Sequence, residues 1–125
     1  MGKFILKKTL KGNFIFNLIA KNGETIGTSE VYTTKDSCKK GIASVAANAI
    51  EEKVVDLTVN EPIELTNPKF EIYKDKAEEF RFRLRAKNGQ NILASEGYST
   101  KANCKKGILS VCTNADDPEI IEIED

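Results

Sequence analysis

The sequence predicts an α+β fold in which a mainly antiparallel sheet of about eight strands carries two helices on one face. Three observations lead to this prediction. The chain contains two similar copies of one unit, each copy begins with alternating apolar and polar residues, and each then continues into a segment with the apolar spacing of a helix. Each unit is therefore predicted to contain three strands, a helix and a fourth strand.

The two copies align without a gap. Residues 2–49 match residues 68–115 at a constant offset of 66, and 25 of these 48 positions are identical. The identities concentrate in AKNG, CKKGI and the pattern SVxxNA. A long period that occurs only twice indicates a pseudo-twofold domain rather than a solenoid. The predicted organisation is one domain over residues 1–125, with repeat one at 2–59, a linker at 60–67 and repeat two at 68–125.

The early strands of each copy are predicted from strict alternation, which is typical of a strand with one buried face. The alternating apolar residues are Phe14, Phe16, Leu18 and Ala20 in repeat one and Phe80, Phe82, Leu84 and Ala86 in repeat two. Asn22-Gly23 and Asn88-Gly89 follow, and this dipeptide favours a two-residue hairpin turn because both residues tolerate positive φ. Third strands are expected over Ile26–Tyr32 and Ile92–Tyr98.

A helix is expected after Thr34 and after Thr100, because threonine is a favourable N-cap residue. The predicted apolar stripes are Cys38, Ile42, Val45 and Ala49 in repeat one and Cys104, Ile108, Val111 and Ala115 in repeat two. Gly41 and Gly107 lie on these stripes. A glycine inside a helix costs about 1 kcal/mol relative to alanine, so we expect both glycines to permit close packing. A short fourth strand is expected around Val54–Leu57 and Ile120–Ile123.

The three cysteines predict free thiols, since they are odd in number and include no CxxC pair. Cys38 and Cys104 lie about one turn into their helices, where the helix dipole could lower the thiol pKa and create a reactive site. Both also fall on the apolar stripe, with Cys112 beside it, and buried cysteine behaves as a small apolar residue. The second interpretation, packing in the core, is the one the stripe favours.

The segment SEGYSTKANCKKGILSVCTNA (95–115), preceded by KFEIYKDKAEEFRFRLRAKNGQNIL (69–93), resembles the YegP-like family of bacterial proteins, a domain of unknown function with single-copy and tandem members. The resemblance covers both repeats. It implies a single sheet in which the final strands are exchanged, so that Val54–Val59 adds to the second unit and Ile120–Ile123 to the first. It implies no catalytic or binding residues, because the family has no agreed activity.

If the helices cover one face of the sheet, the other face is open, and the two repeats differ there. Repeat two is expected to present Tyr73, Arg81, Arg83 and Arg85 on this face, with Arg81 opposite Glu96 as a cross-strand ion pair. Repeat one is expected to present Ile5, Ile15, Ile19 and Ile26. The candidate binding residues are these eight: Tyr73, Arg81, Arg83, Arg85, Ile5, Ile15, Ile19 and Ile26.

Several interpretations of the open face remain open. It could be an ordinary solvated surface, since isolated apolar residues on a surface need no explanation. The isoleucines could form a contiguous patch that contacts a protein partner or mediates weak self-association. The arginines with Tyr73 could hold single-stranded nucleic acid, or a small molecule could bind there or between the repeats. Lysine pairs 39–40 and 105–106 could likewise hold an anion near a helix N-terminus, although solvated lysines are the simpler interpretation.

Other functional classes are poorly supported by the composition. The chain contains no histidine, which excludes Ser-His and Cys-His nucleophile pairs, and it shows no zinc-ligand spacing. Lys plus Arg and Asp plus Glu each number 19, so there is no basic excess of the kind that nucleic-acid-binding proteins carry. No secretory signal, membrane span, metal or cofactor is expected. The sequence therefore favours a non-catalytic cytoplasmic protein that acts by binding through its open sheet face.

Overall fold

The computed structural model describes residues 2–50, 53–116 and 119–123, which form one eight-stranded sheet and two helices. The strands are β1 (Lys3–Lys8), β2 (Phe14–Ile19), β3 (Thr25–Thr28), β4 (Val54–Asp56), β5 (Lys69–Lys74), β6 (Phe80–Arg85), β7 (Asn91–Ala94) and β8 (Glu119–Ile123). The helices are α1 (Lys35–Asn48) and α2 (Lys101–Asn114). The predicted α+β class, with two tandem β(3)-α-β repeats, is confirmed.

The sheet consists of two half-sheets related by pseudo-twofold symmetry. Its strand order is β4-β5-β6-β7-β3-β2-β1-β8. We call β4–β7 the second half-sheet, and β1–β3 together with β8 the first half-sheet. They meet where Thr28 of β3 pairs with Ala94 of β7 in antiparallel orientation. The duplication seen in the sequence thus becomes one continuous sheet across both repeats.

Each repeat contributes its final strand to the other half-sheet. Strand β4, which belongs to repeat one, runs parallel to β5, with Val55 beside Glu71. Strand β8, which belongs to repeat two, runs parallel to β1, with Ile121 beside Ile5. The exchange implied by the family resemblance is therefore confirmed. All other strand pairs are antiparallel within the described residues, so the sheet is mainly antiparallel as predicted.

Both helices pack on the same face of the sheet and share one apolar core. The largest buried side chains on the sheet side are Phe4, Phe16, Phe70 and Phe82. The predicted helix stripes meet them, and the predicted caps are present: Thr34 accepts a hydrogen bond from the Ser37 amide at 3.1 Å, and Thr100 accepts one from the Asn103 amide at 3.1 Å. The apolar spacing and the N-cap residues were thus sufficient to place the helices.

The two helix glycines make room for a tyrosine ring. A Cβ built on Gly41 would meet the hydroxyl of Tyr32 and would lie 2.7 Å from its Cζ. The equivalent atom on Gly107 would meet the Tyr98 hydroxyl. The predicted packing role of these glycines is confirmed, and the group that approaches them is an aromatic side chain that stacks on Phe16 or Phe82.

The hairpin turn after β2 has three residues, so the prediction of a two-residue turn is wrong. The Gly23 amide donates to the Ala20 carbonyl at 2.9 Å, and the Ala20 amide donates to the Glu24 carbonyl at 2.8 Å. Of Asn22 and Gly23, only Gly23 has positive φ, at 89°. This is the arrangement of a type I turn followed by a glycine bulge, and Gly89 repeats it with φ of 84°.

The third strand of each repeat is shorter than predicted because a serine interrupts the ladder. The Phe16 amide donates to the Ser29 hydroxyl at 2.9 Å, and that hydroxyl donates to the Glu30 carbonyl at 2.7 Å. A side chain therefore takes the place of a ladder carbonyl. Pairing resumes only as an isolated bridge between Phe14 and Tyr32. The Ser95 hydroxyl accepts the equivalent hydrogen bond from the Phe82 amide.

The cysteines pack in the core rather than forming reactive sites. Cys38 and Cys104 have no exposed surface, and burial raises the pKa of each thiol to about 11. This is opposite to the lowered pKa that a reactive thiolate needs. Cys112 is partly buried and packs against the same core.

Candidate functional site

The open side of the first half-sheet carries four neighbouring isoleucines, which we call the isoleucine face: Ile5, Ile15, Ile19 and Ile121. Along β2, the side chains of Phe16 and Leu18 point into the core, so Ile15 and Ile19 point to the opposite side. Strand register places them diagonally on either side of Ile5, with Ile121 directly beside it. The structure therefore brings together three of the four predicted isoleucines.

Exposure differs among these residues. Ile19 is 9% exposed, whereas Ile5, Ile15 and Ile121 are half-buried. At the end of β8, Ile123 points to the same side and is 46% exposed. The isoleucine face thus continues to the edge of the sheet.

Ile26 does not belong to this face, which corrects the sequence prediction. Leu18 pairs with Gly27 while Ile19 pairs with Thr25, so Ile26 is the extra residue of a bulge. It is 5% exposed and packs in the core. Ile92 occupies the equivalent bulge in repeat two and is also in the core. The three-residue turn and the bulge each shift the register by one, so Thr28 pairs with the outward-facing Asn17 while Ile26 turns into the core.

The open side of the second half-sheet is polar and is organised around a buried carboxylate. Glu71 is 7% exposed. Its Oε1 accepts hydrogen bonds from Nε of Arg83 at 2.7 Å and from Nε of Arg85 at 2.6 Å. Lys69 adds an ion pair at 3.7 Å. We call Glu71 with these three cations the Glu71 cluster.

The electrostatics of the Glu71 cluster favour the ionised carboxylate. Burial would raise the pKa of Glu71, but the hydrogen bonds and charges of Arg83 and Arg85 outweigh burial, and the pKa lies below its ordinary value of 4.5. Arg83 also stacks on Tyr73, with its Cζ 4.5 Å from the ring centroid. Arg83 and Arg85 are therefore both bound to Glu71, and Arg83 also contacts the predicted tyrosine.

Arg81 is paired with Asp75, not with Glu96 as the sequence predicted. Its Nε lies 2.6 Å from Asp75 Oδ2, and its Nη1 donates to the Ser95 carbonyl at 3.2 Å. The hydrogen bond from Arg81 lowers the pKa of Asp75. The reason is local: Ser95 ends the regular ladder before Glu96 can lie opposite Arg81.

A segment of the chain itself crosses the open side of the second half-sheet. Strands β4 and β5 are parallel neighbours, so residues 57–68 must run back along them. Pro62, Glu64 and Leu65 line one cavity of about 420 Å³ together with Val55, Leu57, Lys69 and Glu71. The Lys69 ammonium donates to the Leu65 carbonyl at 3.1 Å, and the Lys53 ammonium donates to the Thr66 hydroxyl at 3.1 Å.

This crossing segment explains why the two half-sheets differ in exposure. Val55, on the open side of β4, is only 4% exposed, although its neighbour Val54 is the residue that packs against the core. In the first half-sheet, β8 and β1 are not consecutive in the chain. Ile5 and Ile121 keep part of their surface exposed, whereas their counterparts Glu71 and Val55 are 7% and 4% exposed.

Sequence reasoning missed two parts of this site. The sequence places Ile121 in a strand but does not say which face of the sheet it lies on. Its position beside Ile5 follows from the exchange of the final strands, because Val55, the equivalent residue of repeat one, lies beside Glu71, the equivalent of Ile5. The covering segment was treated only as a linker. The linker joins β4 and β5, which are parallel neighbours, and such a connection has to run back along the sheet.

A second concavity lies between the repeats. It has a volume of about 340 Å³ and is lined by Tyr32, by residues of α1 that include Lys40, and by Asn88 and Gln90 of the β6–β7 turn. Within the described part of the chain, no group of three or more His, Cys, Asp or Glu side chains could hold a metal ion. No helix in that part is long and apolar enough to cross a membrane.

The chain is similar to known proteins along most of its length. The family model of the domain of unknown function DUF1508 matches residues 11–56 and 75–122, once in each repeat. A UPF0339 protein of Photorhabdus laumondii is 42% identical over 110 residues, which cover 88% of this chain and 83% of that relative. A UPF0339 protein of Treponema denticola is 54% identical over 55 residues, 44% of this chain but 95% of the relative, so that relative has the length of one repeat.

A solved structure shows the same architecture. The solution NMR structure of YegP from Escherichia coli, a protein described as of unknown function, superimposes with a TM-score of 0.79 and 37% sequence identity, and the match covers 97% of this chain and 91% of that chain. The resemblance noted from the residues is therefore confirmed. The relatives are described by family alone, and their descriptions name no catalytic role.

Proposed function

The chain belongs to the DUF1508 family, and from that premise we propose that it is a non-catalytic cytoplasmic protein that binds a protein partner through the isoleucine face. The observation that supports this proposal is the contrast between the two half-sheets. Equivalent positions carry a charged cluster around Glu71 in one half and neighbouring isoleucines in the other. Contiguous apolar surface of this kind marks interaction sites in soluble proteins.

The arginines support a nucleic-acid or small-molecule function less well. Arg83 and Arg85 donate to Glu71, and Arg81 donates to Asp75. A phosphate would have to compete with these carboxylates. The net charge of zero adds no long-range attraction for a polyanion.

A variant that copies three residues of repeat two onto the equivalent positions of repeat one tests the proposal. The variant Ile5→Glu, Asn17→Arg, Ile19→Arg places the residues of the Glu71 cluster on the first half-sheet, at positions where the second half-sheet already accommodates them. We call it the grafted variant. Leu10→Arg is the matched control, because Leu10 is fully exposed in the β1–β2 loop, outside the isoleucine face.

Affinity capture from the native cell should show proteins retained by the wild type and by Leu10→Arg but lost from the grafted variant. Circular dichroism would first establish that all three proteins are folded. If the grafted variant retains the same proteins in the same amounts, the isoleucine face is not the binding surface.

A further inference from the structure

We propose that the isoleucine face accepts an extended polypeptide segment of a partner protein, laid across β1 and β8 as residues 57–68 of this chain lie across β5 and β4. The inference rests on the proposed function and specifies the form of the partner. Its basis is the internal symmetry of the molecule. The second half-sheet already holds a chain segment on its open side, and the first half-sheet presents half-buried isoleucines on the matching side.

The two surfaces correspond residue by residue at the offset of 66. Val55 corresponds to Ile121, Glu71 to Ile5 and Arg85 to Ile19. In each half, an exchanged parallel strand forms the edge of the surface. The backbone geometry that receives residues 57–68 therefore exists twice, and only one example is occupied by a described part of the chain.

Two lysine side chains on the open side of the second half-sheet bind the crossing segment. Lys69 binds the Leu65 carbonyl, and Lys53 binds the Thr66 hydroxyl. Their counterparts are Lys3 and Glu119, which lie beside each other in the register of β1 and β8. The partner segment should thus direct a main-chain carbonyl to Lys3 and a hydrogen-bond donor to Glu119.

The residues at the centre of the surface determine which type of side chain the partner segment should place there. In the second half-sheet, Glu64 of the crossing segment lines a cavity with Lys69 and Glu71. In the first half-sheet, Glu71 is replaced by Ile5 and the neighbouring Arg85 by Ile19, so the centre of the surface is apolar. An apolar residue should occupy that position in the partner segment.

A peptide tests this inference on the full-length protein. The probe is a synthetic peptide with the sequence of residues 57–68 and the change Glu64→Leu, and the control is the same composition in scrambled order. Titration followed by NMR of isoleucine methyl groups should give saturable shifts at Ile5, Ile19 and Ile121. The grafted variant should bind the peptide about tenfold more weakly or worse.

Other results would overturn the inference. Shifts confined to the second half-sheet would mean that the peptide only competes with the covering segment, and absence of saturable shifts at millimolar concentration would mean that no extended segment fits. A dimer in analytical ultracentrifugation that the grafted variant abolishes would identify a second copy as the occupant. In each of these cases, proteins captured by the wild type but not by the grafted variant would still support the proposed function. If the grafted variant captures the same proteins as the wild type, both the proposed function and this inference are refuted.

Discussion

At the scale of single residues, Glu71 shows most clearly how the two repeats diverge. It is a buried carboxylate whose oxygen accepts two arginine hydrogen bonds. Its counterpart Ile5 needs no such partners. The buried carboxylate in repeat two requires Arg83 and Arg85 beside it. Repeat one has Asn17 and Ile19 at the equivalent positions, because Ile5 requires no cation.

Glu71→Gln should destabilise the protein at neutral pH by about 1–3 kcal/mol, because two arginines lose a charged acceptor. The folded-state pKa of Glu71 is below 4.5. Its contribution is therefore fully present above the unfolded-state pKa and is lost as the pH falls through the folded-state pKa. Urea unfolding at pH 7 and pH 3 should show a smaller acid-induced loss of stability in Glu71→Gln than in the wild type.

Glu122 provides the control for this experiment. It pairs with Lys35 and Lys39 on the surface, and such pairs contribute little. Glu122→Gln should therefore leave stability at pH 7 nearly unchanged. Equal acid sensitivity in the wild type and in Glu71→Gln would show that the Glu71 cluster does not stabilise the fold.

At the scale of secondary-structure elements, helix packing depends on the contact between each helix glycine and a tyrosine. Gly41→Ala should destabilise the protein by about 1–3 kcal/mol, since overpacking against Tyr32 and Phe16 outweighs the gain in helix propensity. Chemical denaturation measures this directly. The loss should be smaller in a Tyr32→Phe background, which removes the hydroxyl. An increase in stability would contradict the packing role of Gly41.

The elements also show what could be predicted from the sequence. The starts of the helices, their N-caps and their core stripes follow from local spacing and are predicted correctly. The turn at Asn22-Gly23 is not, because a two-residue and a three-residue turn use the same dipeptide. The bulge at Ile26 and the break at Ser29 arise from pairing with β2, which local periodicity does not report. The error in assigning Ile26 to the open face follows directly from this.

At the scale of the whole molecule, strand exchange makes the two repeats depend on each other. Val54 and Val55 of repeat one have their sheet neighbours in repeat two. A chain of residues 1–59 alone should therefore fold only by pairing with a second copy. Its thermal stability should rise with concentration, and sedimentation should show a dimer. A stable monomer of residues 1–59 would contradict this dependence.

The same scale explains why the site could be only partly predicted. Alternation along β1 and β2 correctly predicts that Ile5, Ile15 and Ile19 face outward. Ile121 joins them through exchange, and the uncovered state of the face depends on the order in which the parallel strands are connected. Both are properties of the assembled sheet rather than of any segment.

The affinity of a captured partner for three purified variants tests the central claim most directly. The grafted variant removes the isoleucine face. The double variant Tyr73→Ser, Arg81→Gln changes the open side of the second half-sheet but keeps Lys69, Arg83 and Arg85, the partners of Glu71. Leu10→Arg is the control. We predict that the grafted variant binds about tenfold more weakly or worse, while the other two match the wild type. Unchanged affinity of the grafted variant together with loss in the Tyr73 and Arg81 variant would contradict the account.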